Sequence, residues 1–212
     1  MKFRRKSEAV TAQEGQTEDA SAAEPGRIPA EGPFDADDVP ESEAGVERVD
    51  LGSLLVAPLA GRELRLQVDE RSGVVQAVLI AAQDGALELR AFAAPRSGDL
   101  WSEIRPQLAA DVARRGGQAT EREGRWGTEL LAQLPVKMPD GNTGTQVSRI
   151  IGVNGPRWLL RATLLGRPAV DEAYGKAWED GITGVVVRRG SEAKPVGEAL
   201  PLTLPPGAKK SG

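Results

Sequence analysis

The stretch Arg149-Ile-Ile-Gly-Val-Asn-Gly-Pro-Arg-Trp-Leu-Leu-Arg-Ala-Thr-Leu-Leu-Gly166 sets the architecture of the chain. Two apolar runs rich in β-formers flank Asn154-Gly155. That dipeptide supplies the two positive-φ positions of a tight hairpin turn. The spacing pairs residues 147–153 with 157–165. On the second strand Trp158, Leu160, Ala162 and Leu164 share one face, while Leu159, Arg161, Thr163 and Leu165 share the other. Leu159 and Leu165 keep that second face from being fully wet, so the second helix or a partner is expected to cover part of it.

Upstream, residues 62–69 alternate strictly. Leu64, Leu66 and Val68 face one side and Glu63, Arg65 and Gln67 the other, which reads as a strand with one wet face. The continuous apolar run 74–82 reads as a more central strand. Gln83-Asp84-Gly85 turns the chain into a third strand, 86–93, with Leu87, Leu89 and Ala91 inward. Ser97-Gly-Asp99 then opens a helix in which Leu100, Ile104, Leu108 and Val112, with Trp101, recur at three- and four-residue spacing. Ser97 or Asp99 can cap its first turn, Pro106 is expected to bend it, and Gly116-Gly117 ends it.

Residues 118–122 and 128–136 read as a further strand pair joined by Glu123-Gly124-Arg125-Trp126-Gly127, followed by an exposed loop over 138–144. After the hairpin, a second helix is expected over 169–180, with Ala173, Ala177 and Trp178 on its buried face. The last sheet strand is expected over 182–188. Leu200, Leu202 and Leu204 suit an extended segment lying along the domain. Strands outnumber helices and connections are short. The expected fold class is α+β: a twisted, mainly antiparallel sheet with two helices packed on one face.

Charge divides the chain. Lys2, Arg4, Arg5 and Lys6 give a basic start; residues 7–47 then carry twelve acids and only Arg27 as a base. That stretch is poor in aromatics and rich in Ala, Gly, Pro, Ser and Thr. It cannot bury enough apolar surface to offset its ordering entropy. Residues 1–47 are therefore expected to be a disordered tail, 48–205 a single α+β domain, and 206–212 a disordered end. No apolar core follows the basic start and no run reaches the length of a membrane span, so the expected location is cytoplasmic.

The chain has no histidine and no cysteine. That removes the imidazole general base, the thiolate nucleophile, the Ser-His-Asp arrangement and the cysteine zinc site. Carboxylates, Lys, Tyr, Ser and Thr remain, and carboxylates alone can hold magnesium or calcium. No P-loop is present, because Gly141-Asn-Thr-Gly144 lacks the following Lys-Ser/Thr pair. Acid pairs such as Asp171-Glu172, Glu179-Asp180 and Glu121 with Glu123 are candidates for metal binding or acid–base chemistry, and two of them flank the second helix as ordinary capping charge.

Three of the four tryptophans, Trp101, Trp158 and Trp178, fall in phase with apolar neighbours and read as core. Trp126 lies out of phase between Arg125 and Gly127; it reads either as local packing under the loop or, exposed beside an arginine, as an anchor for a protein partner, since Trp and Arg are the usual hot-spot types. Arg157 and Arg161, with Arg125 and Arg149, are the candidate basic patch for phosphate or a carboxylate. The candidate binding residues are therefore Arg125, Trp126, Arg149, Arg157 and Arg161, with no catalytic residue, metal ligand or cofactor assigned.

Four segments taken together carry a resemblance. They are Asp99-Leu-Trp-Ser-Glu-Ile-Arg-Pro, Gly116-Gly-Gln-Ala-Thr-Glu-Arg-Glu-Gly-Arg-Trp-Gly, Ile151-Gly-Val-Asn-Gly-Pro-Arg-Trp-Leu-Leu-Arg-Ala and Val185-Val-Val-Arg-Arg-Gly190. Over about residues 45–205 the chain resembles a family of uncharacterised actinobacterial proteins, a domain of unknown function often encoded near dUTPase. The resemblance implies no activity, cofactor or site residue. The order of elements is also similar to small sheet-and-helix sandwiches of the PsbP and Mog1 type, which implies a binding module.

These features point to a non-enzymatic, cytoplasmic protein-interaction module whose protein partner the sequence does not identify. A weak nucleic-acid or nucleotide binder is the alternative. It is disfavoured because residues 48–212 carry only 22 bases against 19 acids and lack any RRM, KH or zinc signature. A hydrolase using carboxylates and a metal is the second alternative.

Overall fold

The computed structural model describes residues 31–138 and 141–205. Eleven strands and three α-helices follow one another as β1 (Phe34–Asp35), β2 (Val49–Asp50), β3 (Leu54–Val56), β4 (Glu63–Val68), β5 (Val75–Ala82), β6 (Gly85–Ala93), α1 (Leu100–Arg114), β7 (Gln118–Gly124), β8 (Gly127–Lys137), β9 (Thr143–Gly155), β10 (Trp158–Gly166), α2 (Arg167–Val170), α3 (Glu172–Thr183) and β11 (Val186–Val187). The alternating stretches of the sequence form a seven-stranded antiparallel sheet in the order β4-β5-β6-β10-β9-β8-β7. A smaller sheet, β1-β11-β3-β2, contains the one parallel pair among the described strands, β1 with β11. The fold is thus mostly antiparallel sheet with few helices.

The quoted hairpin forms, but its turn is not Asn154-Gly155. Gly155 pairs with Trp158, so Pro156-Arg157 makes the two-residue connection, and Arg157 takes the positive φ of 62°. Asn154 and Gly155 remain in β9 and do other work. The Asn154 side chain serves the start of α1: its Oδ1 accepts from the Trp101 N–H at 3.2 Å and its Nδ2 donates to Asp99 at 2.6 Å. A Cβ on Gly155 would lie 2.1 Å from the Trp158 ring.

Period-2 alternation gives β10 one buried face and a second on which Leu159 is buried and Arg161, Thr163 and Leu165 are half-buried. Trp158, Leu160, Ala162 and Leu164 join Leu87, Leu89, Val78, Ile80, Ile151 and Val153 in the main core, which the small sheet and α3 close with Leu54, Val56, Trp178 and Ile182. Leu159 points the other way and packs with Leu100 and Trp101 of α1, beside Phe92, Ile104 and Ile150. The expectation of both helices on one face is therefore corrected: α1 lies on one face of the large sheet, and α2 and α3 on the opposite one. Leu159 is fully buried; burying such a leucine is worth about 1.5–3 kcal/mol, which holds α1, and not the expected second helix, on this face.

Asp99 caps α1 by accepting from the Ser102 N–H at 2.9 Å, and the helix runs on through Pro106. The expected second helix is split instead of continuous. Asp171 ends α2 and caps α3, accepting from the Tyr174 N–H at 3.0 Å. Its buried face is Gly175, Trp178, Glu179, Gly181 and Ile182, whereas Ala173 and Ala177 are exposed. Leu200 and Leu202 run along the domain as expected, with Leu202 bridging Gly52 and Val75.

Described residues ahead of 48, expected in the tail, also join the fold. Phe34 and Asp35 are buried, the Phe34 N–H donates to the Val185 carbonyl and the Ala36 N–H to the Val187 carbonyl, and Arg48 reaches back to Glu43 at 2.5 Å. The remainder of the expected tail, 1–30, and the expected end, 206–212, lie outside the described residues. No described helix is long and apolar enough to cross a membrane.

Candidate functional site

The β7–β8 hairpin and α3 enclose an open polar cleft of about 840 Å³ on the face of the sheet that carries the small sheet. Register places its floor. Arg122 of β7 sits opposite Glu129 of β8. Arg149 of β9 shares their face, since Leu131 two residues beyond Glu129 pairs with it. α3 then brings Glu179 down onto Arg149 from above.

The result is a buried chain of charges. Glu129 Oε1 accepts from Arg122 Nε at 2.5 Å and from Arg149 Nε at 2.7 Å; Arg149 Nη2 meets Glu179 Oε1 at 2.7 Å. Arg149, Glu129 and Glu179 are all buried. Burial pushes the Arg149 guanidinium down, but Glu129 and Glu179 outweigh it and hold its pKa above the ordinary value. The network ties three strands to α3. Two of its atoms, Arg149 Nη1 and Glu129 Oε2, have no hydrogen-bond partner among the described residues.

The rim carries charge of both signs. Arg125 and Trp126 form the two-residue turn of the β7–β8 hairpin, since Gly124 pairs with Gly127. The Arg125 guanidinium lies 5.2 Å from the Trp126 ring, 2.5 Å from Glu31 and 3.9 Å from Asp180. Trp126 is half-buried against the main core, and its Nε1 donates to the Gly32 carbonyl at 3.3 Å. Across the cleft α3 presents Glu172, Lys176 and the small side chains of Ala173 and Ala177.

Of the sequence-derived candidates, Arg125, Trp126 and Arg149 are brought together here. Arg157 and Arg161 are not, so the expected patch of four arginines is corrected. Arg157 lies at the β9–β10 turn, where its carbonyl accepts from the Ala94 N–H and from Arg189 Nε. Arg161 lies on the face of the sheet that carries α1, because its register partner on β9 is Gly152. Sequence reasoning missed Arg122, Glu129 and Lys176, and read Glu179 only as half of an acid pair with Asp180. The available signal was Glu129 and Arg149, charged residues on the core-facing side of adjacent strands.

The candidate carboxylate pairs are used in other ways. Asp171 caps α3, Glu179 binds Arg149, and Glu121 accepts from Arg105 at 2.8 Å. Among the described residues no group of three or more acidic side chains is placed to hold a metal ion.

The family model described as "Protein of unknown function (DUF3710)" matches residues 32–211, and the chain belongs to that family. No curated protein matches it. Among solved structures it is similar to the solution structure of cyanobacterial PsbP (CyanoP) from Synechocystis sp. PCC 6803. That likeness has a TM-score of 0.37 and 14% identity, over 68% of this chain and 96% of the other.

Proposed function

We propose that this member of the DUF3710 family is a non-enzymatic protein-interaction module, and that the cleft between the β7–β8 hairpin and α3 receives a polar, extended segment of a partner protein. One observation carries the proposal: the charge chain beneath the cleft leaves one buried donor, Arg149 Nη1, and one buried acceptor, Glu129 Oε2, without a partner among the described residues. Buried polar groups without partners are costly, and a network left partly satisfied calls for an outside group. A peptide unit offers the complement, a carbonyl for the arginine and an N–H for the carboxylate.

The charge of the lining supports a peptide over nucleic acid. Glu123, Glu129, Glu172, Glu179 and Asp180 oppose Arg122, Arg125, Arg149 and Lys176, so a phosphate backbone would meet more anions than cations. Arg125 and Trp126 at the mouth are the residue types that anchor protein interfaces.

The test is affinity purification from the native cell with three baits. Ala177→Trp fills the cleft from an exposed helix position, and Arg125→Ala removes the rim cation. Loss from both variants of a protein that co-purifies with the wild-type chain is the expected result. Equal recovery of every co-purifying protein by all three baits contradicts the proposal.

A further inference from the structure

We propose that Arg90 and Arg161, side by side beside α1 on the face of the large sheet opposite the cleft, form a binding site for a phosphate dianion. Arg161 of β10 lies directly across from Arg90 of β6 in the ladder. Like charges in that position repel and weaken a sheet, so the pair serves no evident structural purpose. The described chain neutralises it only in part. Glu88 pairs with Arg161 at 3.7 Å, beyond hydrogen-bond reach, and among the described residues no carboxylate lies within 4.0 Å of Arg90. Both Nε atoms are buried and without a hydrogen-bond acceptor. Burial and the neighbouring Arg90 charge hold the Arg161 pKa below its ordinary value.

The pair is held ready for a ligand. Both guanidiniums lie against one ring, Arg90 at 5.6 Å and Arg161 at 5.2 Å from the centre of Phe92. Phe92 is itself packed with the α1 cluster. A guanidinium presents its N–H groups as a planar fork that matches oxyanion geometry. Two adjacent forks with one distant carboxylate leave a deficit that a single carboxylate cannot fill. A phosphate dianion carries the charge and the oxygens to engage both, and Thr163, across from Glu88 on the same face, adds a hydroxyl. Inorganic phosphate and a phosphate monoester share this chemistry.

The test follows the 31P resonances of inorganic phosphate and of adenosine monophosphate as the full chain is added, with chloride holding ionic strength constant. Broadening of either signal is expected. It should fall at least tenfold in Arg161→Gln and in Arg90→Gln, persist in Arg65→Gln on the exposed β4, and strengthen severalfold in Glu88→Gln, which removes the competing anion. Tighter binding of the monoester identifies an ester as the ligand; equal binding identifies the free anion. Absence of broadening with the wild-type chain overturns the proposal without recourse to any variant, and so does undiminished broadening in folded Arg161→Gln.

Discussion

The indole Nε1 of Trp158 donates to Oδ2 of Asp35 across 2.6 Å, and both residues are buried. The bond joins β1 to the central strand of the large sheet, 123 residues along the chain. Asp35 also accepts from the Asp37 N–H at 2.9 Å. Asp35→Ala should therefore leave the indole N–H without a partner and lower stability by about 1–3 kcal/mol. Urea denaturation measures it; an unchanged midpoint would show that residues 34–37 contribute little to the fold.

The buried charge chain gives a larger effect. Arg149→Ala removes the cation shared by Glu129 and Glu179, leaving the buried Glu179 without it and the buried Glu129 with Arg122 alone. Breaking one side of such a network costs about 3–5 kcal/mol. Adding Glu129→Gln and Glu179→Gln to that variant should restore part of the loss, because both buried anions are then gone. The comparison of denaturation midpoints for the single and triple variants checks this.

A third prediction concerns the contact between α1 and the sheet. A Cβ on Gly152 would lie 2.1 Å from the Trp101 ring. Gly152→Ala forces the ring and helix outward, at a cost of about 1–3 kcal/mol for overpacking. Gly45→Ala, where nothing lies within 4 Å of the added carbon, should be near neutral. Thermal unfolding of the two variants separates a packing effect from a general glycine effect.

Acid should loosen the start of α1. Burial pushes the Asp99 carboxyl up, but hydrogen bonds from the Ser102 hydroxyl and backbone N–H and from Asn154, with the Arg105 charge, outweigh it and hold the pKa below 3.8. A depressed carboxylate stabilises the fold above its unfolded pKa, and that contribution is lost as pH falls through the lower folded value. Asp99→Ala should cost about 1 kcal/mol at neutral pH, the usual worth of an N-cap. The gap between wild type and variant should close below pH 3.8. A gap that stays constant to lower pH would show that the charge of Asp99 is not what caps the helix.

Particular residues show how far the sequence could be read. Alternation made the strands from 63 to 93 and the pairing of β9 with β10 legible, because apolar side chains must share a face. The turn itself was not. Asn-Gly is the strongest local hairpin signal, yet here Asn154 caps a distant helix and Gly155 clears the Trp158 ring, and the positive φ falls on Arg157. Leu159 signalled that the second face of β10 was covered, but alternation cannot say by which helix. Arg125 and Trp126 were legible as an off-phase pair at a turn. The Glu129–Arg149–Glu179 chain was not, because Glu179 comes from a helix thirty residues away whose register only tertiary packing sets.

The most direct test of the cleft as a partner-binding site is a photo-crosslinking amino acid placed at position 177 and activated in the native cell. Mass spectrometry should recover a peptide of a second protein joined at that position, and Arg125→Glu should abolish it. Crosslinks confined to this chain, or a partner peptide recovered equally with Arg125→Glu, would contradict it.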